Sequence, residues 1–217
     1  MLGNGEDGNT GFLTSNACTT FYLTLDLAAG DPFVINNNFP LQARPLPATG
    51  FAPGKVTELD RQPELKSYQL LSGFWLEVPD LGMQAPLVGD PAVNGEWDVS
   101  WLGNNTGYLM GSAFPTWEGN TVITGHVWNA DNQPGIFVDL KPLSYGDIVR
   151  IHAWGDVYTY QVTQNRRVSP YAPKAVFEQK DGDWITLFTC EDYGEYWGDY
   201  GYRRMVQAVL VDVSSSQ

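Results

Sequence analysis

DWITLFTC, residues 183–190, is a short run of apolar, β-branched and aromatic residues that ends on a cysteine. Such a run reads as a strand. Its end puts a side chain at a sheet edge beside loops, where functional groups tend to lie. The same texture recurs outward from this stretch. RMVQAVLVDV (204–213) reads as a final strand, and TVITGH (121–126) as a strand ending on a histidine. DIVRIHAW (147–154) and VYTYQVTQ (157–164) alternate on either side of Gly155-Asp156, which predicts a hairpin. FWLEVPDLGMQAPLV (74–88) reads as two strands about a Pro-Asp-Leu-Gly turn. Six or more short strands with turn punctuation predict a mainly β fold, a barrel or a sandwich. SYQLLSG (67–73) and PKAVFEQK (173–180) are each expected to form a helical turn or two. No internal repeat is visible.

Upstream the texture differs. Residues 1–16 read as a flexible lead, and ACTTFYLTLDL (17–27) alternates as a strand does. Residues 40–66 are rich in proline and poor in apolar runs, which predicts an extended linker or lid.

The formal net charge is −13. A chain this acidic is a poor nucleic-acid binder, because phosphate contacts need clustered Lys and Arg. Two cysteines, Cys18 and Cys190, exclude a disulfide framework, though not a single bridge between them. No Cys/His spacing suits zinc, and acidic loops alone are not a calcium ligand set, so no metal ligand is assigned. No apolar run is long enough to span a bilayer. The polar, Gly-rich start does not resemble a signal peptide, so any targeting segment is expected outside this chain.

Three residues at strand ends carry the chemical reading: His126, Cys190 and Arg203, in that order. Taken singly, each has a bland explanation. A strand-end cysteine is more often buried and inert. A lone histidine is more often a surface or core hydrogen bonder, and His152, alternating with Arg150 and Trp154, is expected to face solvent without a role. Together the three supply a nucleophile, a base and a cation. A thiol needs a base or cation to become a thiolate near neutral pH. The imidazole can protonate a leaving amine, and a guanidinium can hold a developing oxyanion. The order opposes a papain-like arrangement, in which Cys precedes His.

The T-L-F-T-C run (186–190) resembles the T-L-x-T-C signature of the sortases, and T-G-H (124–126) is similar to that family's motif around its histidine. PGIFVDLKPLSYGDIV (134–149) looks like the region that follows, and Arg203 with RMVQAVLV like the family's arginine and closing strand. The resemblance covers about residues 70–213, and is nearer to classes D to F than to the best-known class. It implies a closed eight-stranded β-barrel with short helices, a catalytic domain over 67–217 and an N-terminal extension over 1–66. It implies a cysteine transpeptidase that cuts a sorting signal after Thr through a thioacyl enzyme and joins the product to an amine. Cys190 would attack, His126 would shuttle the proton, Arg203 would stabilise the oxyanion and orient the signal, and Thr189 would line the pocket. The implied partners are the sorting signal of a surface protein and an amine on peptidoglycan or a pilin. The implied location is extracytoplasmic, with membrane anchorage only through a segment outside this chain.

Two features stand beside that reading. Leu46-Pro47-Ala48-Thr49-Gly50 spells such a signal inside the chain, but polar sequence follows it rather than an apolar span and basic tail. It is expected to be a linker, a pseudosubstrate lid over the site, or a true cleavage site. EDYGEYWGDYGY (191–202) reads as a loop whose Glu191 and Asp192 could receive a cationic amine between aromatic walls. The rival readings are a non-catalytic β-barrel that binds peptide or glycan, and a mainly hydrolytic cysteine peptidase on the same scaffold.

Overall fold

The computed structural model describes residues 45–215. The strand read at 17–27 and Cys18 lie outside them. Eight strands are present among the described residues: β1 (Gln69–Val78), β2 (Met83–Asp90), β3 (Thr106–Leu109), β4 (Gly119–Thr124), β5 (Ile148–Ala153), β6 (Asp156–Val168), β7 (Asp183–Gly194) and β8 (Asp199–Ser215). They close into a barrel in the order β1-β2-β3-β4-β7-β8-β6-β5, with β1 pairing β5 to complete it. The pairs β2–β3 and β4–β7 are parallel, and the others antiparallel. Closure leaves no open sheet edge.

The alternation in β7 sorts its side chains between two apolar clusters. Ile185 and Leu187 enter the barrel interior with Ile123, Val206 and Ala208. Phe188 faces outward, into a second cluster with Val122, Val168, Val176, Met205 and Leu46. Both faces of β4 are therefore covered, and all six of its residues are buried. This is why TVIT reads as a continuous apolar run rather than an alternating one. Cys190 and Arg203 continue the outward rows of Phe188 and Met205, so the cysteine strand presents its chemistry on the barrel's outer face.

Several expectations are refined. The hairpin turn consists of Trp154 and Gly155, both at positive φ (54° and 86°), and Asp156 already opens β6. Such a pair matches the twist of the flanking strands, and glycine adopts its half at no steric cost. SYQLLSG is not helical: its residues from Gln69 onward open β1. The partner strand supplies hydrogen bonds that a single helical turn could not match. PKAVFEQK does form one turn, α1 (Pro173–Val176). The acidic stretch after Cys190 is not a loop, because β7 runs on to Gly194 and pairs with β8 up to Asp199. β3, short and wholly buried, gave no alternation to read. His152 does not simply face solvent; its Nε2 lies 2.8 Å from Glu77 and its ring stacks on Trp75 at 3.4 Å.

Candidate active site

Parallel pairing brings the histidine and the cysteine to the same end of the barrel. β4 and β7 run in register, with Thr124 opposite Phe188, so residues two further on in each chain emerge side by side. Two hydroxyls fix that exit. Thr124 Oγ1 donates to the Phe188 carbonyl at 2.9 Å, and Thr189 Oγ1 to the Gly125 carbonyl at 2.8 Å. Antiparallel pairing then sets Arg203 directly opposite Cys190. His126, Cys190 and Arg203 are all buried, at 1%, 1% and 4% exposure. Arg204 turns instead to Glu191 at 2.6 Å and Asn165 at 3.2 Å, donating to both, so of the two neighbouring arginines it is Arg203 that stands opposite Cys190.

What buries them is the chain's own Leu46–Gly50. The Leu46 amide donates to the Pro170 carbonyl at 2.7 Å, and its side chain joins the outer apolar cluster. Arg203 donates to the Pro47 carbonyl at 3.3 Å and the Leu46 carbonyl at 3.5 Å. Ala48 points outward and is exposed. The Thr49 amide donates to the Cys190 sulfur at 3.1 Å, and the Thr49 hydroxyl accepts from the Cys190 amide at 2.6 Å. That hydroxyl also donates to Thr189 Oγ1 at 3.3 Å. The Thr49 carbonyl accepts from the Val127 amide at 2.9 Å. At Gly50 a Cβ would stand 2.5 Å from Val127 Cγ1 and 3.0 Å from the Tyr200 ring, so only glycine fits. Beyond it, Phe51 donates from its amide to the Trp128 carbonyl at 3.0 Å, accepts from the Tyr200 hydroxyl at 2.8 Å, and sets its ring 5.2 Å from that of His126.

Burial governs the charge states. Desolvation pushes the Cys190 thiol up, and the Arg203 guanidinium and the Thr49 donors oppose it without prevailing. Desolvation pushes His126 down, against the opposing pull of the Thr49, Val99 and Ser100 backbone groups. The resting pair is thus a neutral thiol and a neutral imidazole. Both ring nitrogens of His126 are buried, with the Thr49, Val99 and Ser100 backbone groups as their polar surroundings.

Beside the thiol lies a cavity of about 210 Å³, lined in part by Thr189, Cys190, Glu191, Asp192 and Arg204. Glu191, read as a receiver of a cationic amine, already has cations of the chain about it: its Oε1 meets Arg204 at 2.6 Å, Arg167 at 3.4 Å and Lys141 at 3.8 Å. Despite partial burial these cations hold its pKa below the usual range. Its Oε2 is buried and unpartnered. Asp192 is half-exposed, with Arg167 at 3.8 Å. Cys190 is a free thiol. Among the described residues no group of three or more His, Cys, Asp or Glu could hold a metal ion, and no helix is long and apolar enough to cross a membrane.

The sortase domain family model matches residues 76–211, from β1 to β8. The chain belongs to the sortase family. Sortase A of Staphylococcus aureus is 28% identical over 140 residues, which span 63% of this chain and 64% of that protein. The structure of sortase A from Corynebacterium diphtheriae aligns with a TM-score of 0.55 at 26% identity, covering 67% of this chain and 62% of that one. A sortase D5 transpeptidase from Clostridium perfringens shares the fold at a TM-score of 0.51 and 22% identity, over 68% of this chain and 84% of that one. Likeness to classes A and D alike does not single out classes D to F for this sortase. Three contributors gave no signal in the sequence: the Val127 amide on the Thr49 carbonyl, the Tyr200 hydroxyl, and the Gly125 carbonyl that ties Thr189. The first and last are backbone groups, whose use depends on the path of the chain and not on residue type.

Proposed function

We propose that this sortase is a cysteine transpeptidase that cleaves an LPXTG-like sorting signal between Thr and Gly and passes the acyl group to an amine. The observation that carries this reading is the seating of Leu46–Gly50, with Thr49 against Cys190 and the Leu46 and Pro47 carbonyls on Arg203. It supplies a physical reason for four of the motif's five letters. Leu46 fills an apolar pocket, Ala48 points out and is free to vary, Thr49 is held through its hydroxyl, and Gly50 has no room for a Cβ. On this reading Cys190 attacks the Thr carbonyl and His126 carries its proton to the departing amine. Arg203 acts first as the clamp that orients the peptide, and its charge favours the thiolate. In the seated segment the carbonyl oxygen of Thr49 rests on the Val127 amide, which makes that amide a second candidate for the oxyanion.

The acceptor amine would approach through the cavity beside Cys190, where Glu191 Oε2 offers an unpartnered acceptor. The natural partners on this reading are surface-protein sorting signals and an amine of peptidoglycan or a pilin, outside the cytoplasm, with the enzyme held at the membrane by a segment beyond the described residues. The test is mass spectrometry of the chain with a synthetic LPATG peptide and triglycine. A thioacyl adduct on Cys190 and a peptide–triglycine product are expected, both absent from Cys190→Ala. His126→Ala should lose about 10²–10⁴-fold in rate, and Arg203→Ala about 10²–10³-fold. Glu191→Gln should raise KM for triglycine and leave thioacylation unchanged. Product formation that survives Cys190→Ala would overturn the proposal.

A further inference from the structure

Recognition of the built-in signal does not stop at the thiol. It continues past the Thr49–Gly50 bond as far as Thr57. Phe51 is held at its amide, its carbonyl and its ring. The Gly54 amide donates to Asn132 Oδ1 at 2.7 Å, and the Thr57 amide to the Ala130 carbonyl at 2.7 Å. A cover over the cleft would need only bulk. This segment instead sets Thr49 on Cys190 and Phe51, the second residue past the bond, beside the His126 ring, so that the Thr49–Gly50 bond lies in the stretch of chain between those two contacts.

We infer that the chain is its own first substrate: Cys190 cuts Thr49–Gly50 in the same molecule, and everything before Gly50 is the acyl cargo handed to a primary amine. The inference rests on the transpeptidase reading above. In the first step the proton on Sγ passes to the imidazole of His126, and Sγ forms a bond to the Thr49 carbonyl carbon. The Val127 amide holds the oxygen. The Thr49–Gly50 bond then breaks, and His126 returns the proton to the Gly50 nitrogen. The acyl part, ending at Thr49, is now a thioester on Cys190, and the remainder begins with a free Gly50 amine. In the second step a primary amine attacks the thioester carbon, an amide forms, and the proton lost by the amine goes back to sulfur. Atoms balance with the amine as the only co-reactant. The neutral thiol and unprotonated imidazole are the starting states these transfers need. Covalent tethering makes the first step intramolecular, with an effective concentration in the millimolar range or above. Once Gly50 is free, the segment after it is held by one side only and the cleft opens to signals in trans.

The experiment uses the full chain, incubated with and without triglycine and read by intact mass under denaturing conditions. Two species are expected with triglycine: residues 1–49 carrying triglycine on Thr49, and a fragment starting at Gly50. Their rate of appearance should be unchanged on tenfold dilution, and Cys190→Ala should stay intact. A rate that falls in proportion to dilution would mean that one copy cuts another, and would overturn the inference. Leu46→Ala, which loosens the segment, is assayed in parallel on a peptide copying residues 46–54. If that variant cuts the peptide while the wild-type chain stays whole, the segment is a lid; this inference fails and the transpeptidase reading stands. If neither is cut, both fail.

Discussion

Gly50→Ala tests the seating of the segment most directly. The added Cβ would lie 2.5 Å from Val127 Cγ1 and 3.0–3.1 Å from the Tyr200 ring. Carbon atoms pack at about 3.5–4.0 Å, so Val127 or the segment must move by about 1 Å. Overpacking of this kind costs about 1–3 kcal/mol. Val127 cannot move freely, because its amide holds the Thr49 carbonyl at 2.9 Å. Losing that bond adds about 0.5–1.5 kcal/mol. Together these come to about 1.5–4.5 kcal/mol against the seated state, or about a 13- to 2,000-fold shift toward the open cleft. Cys190 is 1% exposed when the segment is seated, so its accessibility reports the equilibrium. The assay is the rate of alkylation of Cys190 by a maleimide, read on the peptide that contains it and scored only on uncleaved chain. Labelling should accelerate within that range, up to the limit set by a fully open cleft. A rate within twofold of wild type would refute the argument that Gly50 is required by contact with Val127 and Tyr200.

Two further perturbations probe the barrel itself. Asp90 is buried, and desolvation, aided by Asp98 and opposed by Lys66, pushes its carboxyl from 3.8 up to about 7. The folded state thus holds this proton more tightly than the unfolded chain, and the stability tied to Asp90 is present below pH 4 and lost as pH rises through about 7. Asp90→Asn should therefore stabilise the fold at pH 8 by an amount on the order of a few kcal/mol, seen as a higher melting temperature, and change it little at pH 4; equal effects at both would contradict the linkage. Asn165→Ala should cost about 1–3 kcal/mol in urea unfolding, since its amide donates to the Leu140, Lys141 and Leu143 carbonyls and its oxygen receives Arg204. An unchanged midpoint would show that water replaces those bonds.

The sequence was most legible where pattern and fold share one cause. The strand runs ending at His126 and Cys190 are apolar because β4 and β7 are covered on both faces. Neighbouring strand residues point to opposite faces, and here Arg203 stands opposite Cys190 while Arg204 turns to Glu191. Legibility failed where pairing decided the outcome. SYQLLSG lacks a strand's alternation and forms one through its partner, and the polar stretch after Cys190 stays in the sheet through pairing with β8. The cations about Glu191 could not be read beforehand, because Lys141, Arg167 and Arg204 come from three other parts of the chain and leave no local trace in its own segment.

By itself the sequence determined which candidate side chains for chemistry are present, in what order along the chain, and that Leu46-Pro47-Ala48-Thr49-Gly50 lies upstream of them. Those are properties of residue type and spacing. Only the tertiary structure decided what Leu46–Gly50 does. It lies over the thiol, about 140 positions away in the chain, because Pro170, Val127 and Arg203 meet its backbone there and the outer apolar cluster takes Leu46. A linear motif encodes its own side chains but not the partners of its carbonyls and amides, and here those partners come from segments that closure of the barrel brings to one end.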